Sequence, residues 1–232
     1  HAEDARNLAE LYYGNWPAGK AYARSLPQEP PHRLNRRAEM ADARVQEPRL
    51  IRHYIAPSVR VGDASATIPL SLFTQYLGGG QTGYLYQTLV EQQKLASAAD
   101  VSYDPFCVGP ATLTIALTTL PGVTLTRLES ALDDVLTSAL KEAPSTADVA
   151  RVKTQHKAAV TFAQDGLEPL AQMMGRLYMI GLNAEYFYGW EAAVDAVEAN
   201  TMLAAARAVF AQAPVTGYLT PKAPTAPEAP DA

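Results

Sequence analysis

Residues 111–119, ATLTIALTT, alternate between apolar side chains and threonine, and this alternation limits the possible folds more than any other stretch. Leu113, Ile115 and Leu117 fall on one face of a strand, because successive side chains of a strand point to opposite sides. A strand with one apolar and one polar face is typical of an antiparallel sheet that is covered on one side. The sequence therefore predicts such a sheet.

The remaining elements come in blocks rather than in regular strand–helix alternation. Strands are predicted over 38–45, 49–56, 96–104, 111–119 and 215–220, and helices over 2–13, 64–77, 83–94, 124–142, 145–164, 167–180, 186–197 and 200–211. Segregated blocks favour an α+β fold over a βαβ fold. We therefore predict an α+β fold, with an antiparallel sheet and helices packed mainly on one face.

The domain organisation follows from a proline-rich stretch near the start of the chain. Prolines and a glycine (Pro17, Gly19, Pro27, Pro30, Pro31) predict an extended linker, since proline lacks an amide donor and restricts its neighbour. We expect a helix plus linker over 1–37, a main unit over 38–221 and a Pro/Ala-rich tail over 222–232. The chain begins with His1 rather than Met, so we expect a fragment or processed product of a longer protein.

Charge and hydropathy exclude two classes of partner. The net charge is −5, whereas nucleic-acid binding needs an excess of Lys and Arg. The small basic group at Arg33, Arg36 and Arg37 is interpreted as a solvated linker. No apolar run is long enough to span a bilayer. We expect neither a nucleic-acid partner nor a membrane span.

The residues that could support catalysis are few. The sequence has one cysteine, Cys107, and four histidines, at positions 1, 32, 53 and 156, none of them within an HxxEH, HExxH or HxxxH pattern. A zinc site usually needs three or four ligands, often two histidines one helical turn apart. We therefore predict no catalytic residue and no metal ligand in this chain. A nucleophile pair of Cys107 with His53 or His156 stays formally open.

Carboxylates cluster on two of the predicted helices. We interpret both groups as solvated faces, and they comprise Glu129, Asp133, Asp134 and Glu142 on the first helix and Glu185, Glu191, Asp195 and Glu198 on the second.

One stretch of the chain carries a family resemblance. Residues 78–97, GGGQTGYLYQTLVEQQKLAS, resemble the insulinase-type (pitrilysin/mitochondrial processing peptidase-like) zinc metallopeptidases. Further segments resemble the same family in the expected order: LAELYYGNWPAG (8–19), EPRLIRHYIAPS (47–58), LPGVTLTRLESALDDVL (120–136), ADVARVKTQHKAAV (147–160) and VTGYLTP (215–221).

The resemblance implies a domain of a clamshell protein. Members of this family consist of repeated α+β domains that enclose a chamber as two halves. One repeat holds zinc through HxxEH and a distant Glu, with the Glu of the motif as general base. The other repeat has lost the motif and helps to bind an extended peptide. This chain has no HxxEH, so it matches the second kind, and residues 1–37 would be the last helix of the preceding repeat plus the interdomain linker.

The function implied is therefore that of a non-catalytic C-terminal domain, inactive alone, which completes the peptide-binding chamber for a separate HxxEH domain or subunit. Zinc is expected in that partner and no cofactor in this chain. The alternative is a scaffold or assembly protein of the same fold with no peptidase role. Localisation stays open, although such proteins in bacteria are often exported to the periplasm.

The resemblance also indicates candidate substrate-binding residues: Gly79, Gly80, Thr82, Tyr84 and Ser97. Many active members place an Arg and then a Tyr in this region to assist substrate and oxyanion binding. Tyr84 holds the Arg position here, and the Tyr position falls near Ser97. A tyrosine could offer only a neutral hydrogen bond in place of a charge. Peptide binding by strand addition at a sheet edge is a further expectation.

Overall fold

The computed structural model describes residues 1–17, 19, 30, 33–163 and 166–222. Its strands are β1 (Arg36–Asp42), β2 (Arg49–Ala56), β3 (Ala96–Tyr103), β4 (Ala111–Thr119) and β5 (Val215–Pro221). Its α-helices are α1 (Ala2–Tyr13), α2 (Thr67–Gly78), α3 (Leu125–Ala139), α4 (Thr146–Ala163), α5 (Leu167–Met179), α6 (Ala184–Asp195) and α7 (Ala199–Phe210). Short 3₁₀ turns cover Ala64–Ala66 and Gly80–Thr82. Most of the predicted linker, with His32, and the tail from 223 onward lie outside the described residues.

The five strands form one sheet in the order β1-β5-β2-β4-β3. Neighbouring strands from β5 to β3 pair antiparallel, as the sequence predicts. The edge strand β1 instead pairs parallel with β5, so the sheet is mixed rather than wholly antiparallel. Strands β1 and β5 stand at opposite ends of the main unit, so no hairpin turn imposes an antiparallel direction on them. The α+β class is confirmed.

Two elements differ from their predicted form. Strand β1 spans 36–42 rather than 38–45, and so begins before the boundary expected near residue 37. It ends where the Asp42 carboxylate accepts hydrogen bonds from the Arg44 backbone and guanidinium, at 2.9 and 3.0 Å, and forms a turn. The helix predicted over 83–94 is largely a π-helix, Tyr86–Gln92. Its wide turn shows in the bond from the Gln93 amide to the Thr88 carbonyl, at 2.9 Å.

One face of the sheet, here called the covered face, packs against the helices. Leu50, Tyr54, Leu113, Ile115 and Leu117 point from β2 and β4 into a continuous apolar core. Helix α3 joins this core because its leucines recur at helical spacing and form a stripe. The Thr124 hydroxyl caps α3 by accepting a hydrogen bond from the Arg127 amide at 3.3 Å. Burial of these side chains supplies most of the free energy that holds helices and sheet together.

Helix α2 approaches the edge strand β3 closely at its C-terminal end. A Cβ atom at Gly78 would lie 2.5 Å from the Val101 Cβ and 2.6 Å from its backbone nitrogen. Any larger residue would push the helix off the strand. The following glycine turn therefore sits directly beside β3, as the run of three glycines permits.

The opposite side of the sheet, here called the open face, carries exposed or half-buried side chains. It comprises Arg49, Ile51, His53 and Ile55 of β2, Thr112, Thr114 and Ala116 of β4, and Gly217 and Leu219 of β5. A row of mostly small residues crosses all five strands there: Ala38, Gly217, Ile51, Ala116 and Asp100. The alternation in 111–119 thus yields one covered and one open face, as predicted.

Helix α1 stands apart from this arrangement, since all twelve of its residues are exposed. Its bounds, Ala2–Tyr13, match the predicted helix. Within the described part of the chain, no helix combines the length and the apolar character that crossing a bilayer requires.

Candidate functional site

The structure brings four of the five predicted binding residues into one turn. Gly79, Gly80 and Thr82 lie between α2 and the π-helix, with Tyr84 immediately after them. Gly80 adopts a φ of +64°, which glycine tolerates at no steric cost. The Thr82 hydroxyl accepts hydrogen bonds from Arg151 at 3.2 Å and from the Gln155 amide at 3.4 Å, both on α4. The turn is therefore fixed against a helix as well as against β3.

Tyr84 is half-buried and stacks on Tyr76 of α2. The two ring centroids lie 5.5 Å apart with an interplanar angle of 22°. Burial, with a smaller contribution from Tyr84, raises the pKa of Tyr76 to about 12. The Tyr84 ring thus has a packing role in this structure.

Ser97 lies apart from the turn, at the other end of the π-helix. It occupies an irregularity of β3, where the pairing with β4 skips from Ala96 to Ala98. Bulges of this kind often re-aim a side chain at a sheet edge. Its hydroxyl lies 3.5 Å from the Thr118 carbonyl, and no hydrogen bond joins it to Tyr84 among the described residues. Tyr84 and Ser97 are therefore not joined in this structure.

The histidines that could have formed a metal or nucleophile site lie on opposite sides of the sheet. His53 is exposed on the open face, where its Nδ1 lies 2.9 Å from the Thr114 hydroxyl. His156 lies on α4, with its ring 5.4 Å from that of Trp190 among the helices. Burial lowers the pKa of His156. Within the ranges that the structure describes, no three His, Cys, Asp or Glu side chains gather as metal ligands. The described residues do not fit a zinc site.

Cys107 does not have the environment of a nucleophile. It is half-buried in the loop after β3, and its thiol lies 3.2 Å from the Gly109 carbonyl. Burial raises the pKa of the thiol, whereas reactive cysteines have a lowered pKa. The thiol therefore stays protonated at neutral pH, which disfavours the Cys–His pair left open by the sequence.

A buried ion network was not expected from the sequence. Arg52 of β2 lies on the covered face and donates hydrogen bonds to Glu129 at 2.9 Å and to the Thr216 hydroxyl at 3.1 Å. It also pairs with Asp133, and Glu129 accepts further hydrogen bonds from Arg37 and Tyr218. Burial alone would raise the pKa of Glu129, but these partners outweigh it and lower the pKa.

The network corrects two interpretations. Glu129 is buried rather than part of a solvated face, and Asp133 binds Arg52, while Asp134 and Glu142 are exposed as predicted. Arg36 and Arg37 lie in β1, so they are not linker residues. The sequence could have indicated that Glu129 is buried, because Glu129 lies between Leu125 and Leu132 within the apolar stripe of α3. Arg52 likewise takes an inward position between Leu50 and Tyr54.

Comparisons with solved structures show that this fold is shared with proteases. A protease from Helicobacter pylori matches with a TM-score of 0.84 and 16% identity, over 95% of this chain and 53% of that one. A peptidase M16 inactive domain from Pseudomonas fluorescens matches with a TM-score of 0.78 and 18% identity, over 98% and 53%. The periplasmic protease PqqL from Escherichia coli matches with a TM-score of 0.71 and 14% identity, over 96% and 24%.

The chain thus spans about half the length (53%) of the first two of these structures. A search among curated proteins found no match. A family profile described as "Peptidase M16 inactive domain" matches residues 1–156, which is most of the chain. The relationship suggested by the glycine turn and the segments around it is thereby confirmed, and the chain belongs to the peptidase M16 inactive-domain family.

Proposed function

We propose that this chain is the non-catalytic half of a peptide-holding chamber, closed by a domain or subunit of the same family that carries HxxEH and zinc. The observation that carries the proposal is the open face of the sheet. A face with half-buried Ile51, Ile55 and Leu219 is suited to lie opposite a second module. The chain spans about half (53%) of the Helicobacter pylori protease, which leaves room in a protein of that size for such a module.

The chemistry of the open face suits an extended peptide. Ala38, Gly217 and Ala116 are the small members of the row that crosses the sheet, which also holds Ile51 and Asp100. Threonines and His53 beside this row offer hydrogen bonds, and the exposed Arg49 and Asp100 add one charge of each sign. A surface of this kind holds a backbone and admits varied side chains. We therefore infer that the chain contributes enclosure and contact rather than a reacting group.

We place the edge for strand addition at β3. The sheet has two edge strands, β1 and β3, and β3 carries Ser97 and borders the glycine turn with Gly79, Gly80 and Thr82. An unpaired strand edge offers its backbone donors and acceptors to an extended peptide. Four of the predicted binding residues, Gly79, Gly80, Thr82 and Ser97, therefore lie at or beside this edge strand.

Reconstitution with the catalytic half tests the proposal. The chain alone should not cleave a fluorogenic peptide, and addition of the HxxEH half should produce cleavage. Ala116→Trp places a large ring in the small-residue row and should lower the restored rate about tenfold, a loss equivalent to about 1.4 kcal/mol. Ala158→Trp, on the exposed side of α4, is the matched control and should restore the full rate. Equal rates for the two variants would contradict the chamber role.

The scaffold alternative is favoured by one observation. Tyr84 packs on Tyr76, and Ser97 lies apart from it, so neither forms the assisting pair of active relatives. Under this alternative the chain would bind its partner with no cleavage of any peptide tested. The parent sequence also discriminates, since an HxxEH motif upstream of residue 1 supports the peptidase role. As the Escherichia coli neighbour is periplasmic, export of this chain is a further proposal, checked by cell fractionation.

A further inference from the structure

Helix α5 packs against the rest of the chain along one apolar stripe. Leu170, Met173 and Leu177 follow one another at intervals of three and four residues, so they share one side of the helix. Leu177 is 4% exposed, and Leu170 and Met173 are half-buried. Arg176 fastens the helix further, because it donates a hydrogen bond to the Phe106 carbonyl at 2.9 Å. This side of α5 is therefore fixed within the chain.

A second apolar stripe of α5, here called the outer stripe, lies beside the first and is left largely exposed. It consists of Leu167, Ala171, Met174 and Tyr178, whose spacing of four, three and four residues forms a narrow band along the helix. Leu167 is 89% and Tyr178 is 59% exposed, Ala171 is exposed and Met174 is half-buried. A continuous exposed apolar band, unlike scattered single residues, is typical of an interaction surface.

The spacing of the outer stripe suits another helix as the partner. Apolar residues that alternate at intervals of four and three form the seam along which two helices pack side by side. Gly175 borders the stripe, and a Cβ atom there would meet nothing within 4 Å. Ala171 and Gly175, about one turn apart, therefore leave room for a second helix backbone to approach closely.

The order of side-chain sizes favours a second copy of α5 that runs antiparallel. In that pairing Leu167 of one copy lies opposite Tyr178 of the other, and Ala171 lies opposite Met174, so small side chains meet large ones. Each contact occurs twice, as a two-fold axis requires. A parallel pairing would place Ala171 against Ala171 and Tyr178 against Tyr178, which leaves a gap at one level and crowding at another.

We propose that the outer stripe is a dimerisation surface, at which two copies of this chain join through antiparallel α5 helices. An interface limited to one 13-residue helix from each copy falls at the low end of interface sizes, below roughly 1,200 Å². The dimer is therefore weak and depends on concentration. The inference does not rest on the chamber role, since α5 takes no part in the open face.

Analytical ultracentrifugation of the 232-residue chain, from micromolar to millimolar concentration, measures this association. The wild-type chain should change from monomer to dimer across that range. Leu167→Glu places an unpaired carboxylate from each copy in the seam and should weaken dimerisation about tenfold or more. The monomer should stay folded, because Leu167 is exposed and an acidic residue is favourable in the first turn of a helix.

Leu11→Glu on α1 is the matched control. Leu11 is 67% exposed but belongs to a different helix, so this variant introduces the same charge outside the outer stripe. It should keep the wild-type dissociation constant. Circular dichroism checks that both variants are folded.

Disulfide cross-linking tests the direction of the pairing. In a Cys107→Ser background, Leu167→Cys and Tyr178→Cys are prepared as two separate variants. A mixture of the two should form a covalent dimer on mild oxidation, because the antiparallel pairing places these positions opposite each other. Either variant alone should not, since its two equivalent cysteines would lie about 16 Å apart along the helices, too far for a disulfide.

Three results would overturn the proposal. The first is a chain that stays monomeric up to millimolar concentration. The second is a dimer that Leu167→Glu weakens no more than Leu11→Glu does. The third is a cross-link that either cysteine variant forms alone as readily as the mixture. Reconstitution with the catalytic half reports on the open face, so failure of the chamber role would leave these results intact.

Discussion

The two faces of the sheet are built from the same strands but behave differently. On the covered face, Leu113 and Ile115 are fully buried, and even the charged Arg52 is 4% exposed because Glu129 and Asp133 neutralise it. On the open face, Ile51 and Ile55 are only half-buried, beside threonines and small residues. The covered face therefore determines stability, whereas the open face is free to meet a partner.

The largest expected effect compares the same substitution on both faces. Ile115→Ala empties a fully buried site and should lower the free energy of unfolding by about 2–5 kcal/mol. Ile51→Ala changes the neighbouring strand on the open face. It should lower the free energy of unfolding by only about 1 kcal/mol, because the Ile51 side chain buries less apolar area on folding. Urea denaturation of both variants gives the two values. Equal losses would mean that the faces do not differ as described.

The ion network gives the next largest effect. Glu129→Gln removes one of the carboxylates that neutralise the buried charge of Arg52. It should lower the free energy of unfolding by about 3 kcal/mol at pH 7, because breaking a buried ion pair is strongly destabilising. Asp134→Asn, exposed on the same helix, is the control and should change stability by about 0.5 kcal/mol or less. The lowered pKa of Glu129 means that its contribution is present above pH 4.5 and is lost as pH falls further. In Glu129→Gln, that part of the pH dependence should disappear.

A smaller effect concerns His156 among the helices. Its pKa lies below the ordinary 6.5, so the unfolded chain takes up a proton before the folded chain does. Stability should therefore decline as pH falls below 6.5, with a slope of at most about 1.4 kcal/mol per pH unit for one proton. His156→Phe should remove this decline, while His53→Phe on the open face should retain it. If stability still declines below pH 6.5 in His156→Phe, another titrating group must cause the decline.

The smallest effect on stability should accompany a clear effect on association. Ile51→Ala, which costs about 1 kcal/mol in folding, should weaken binding to the HxxEH half about fivefold or more, because a buried anchor at an interface loses contact area. Calorimetric titration measures the affinity. Thr154→Ala on α4 is the control and should bind as wild type. An unchanged affinity for Ile51→Ala would indicate that the partner does not bind to the open face.

Local pattern predicted most of the fold. The bounds of β2 and β4, the stripe of α3 and the Thr124 cap follow from side-chain alternation, helical spacing and capping within a few residues. The parallel pairing of β1 with β5 did not follow, because it joins residues from 36–42 to 215–221. No local pattern encodes the direction of strands that are so distant in sequence.

The site shows the same division between local and distant information. The glycine turn with Gly79, Gly80 and Thr82 was evident as a segment, but its anchoring by Arg151 of α4 depends on a contact across 69 residues. The Arg52–Glu129 pair spans 77 residues. An exposed-face interpretation of Glu129 was wrong because the countercharge that permits its burial comes from a strand and not from its own helix.

The zinc content of the isolated chain shows whether its own residues can hold a catalytic metal ion. We expect no tightly bound zinc in this chain, since His53 and His156 are separated by the sheet and burial raises the pKa of the Cys107 thiol. After equilibration with zinc and exhaustive dialysis, elemental analysis should find far less than one zinc ion per chain, and His53→Ala and His156→Ala should leave that value unchanged. One tightly held zinc per chain, lost in either variant, would show that this chain has a metal site of its own.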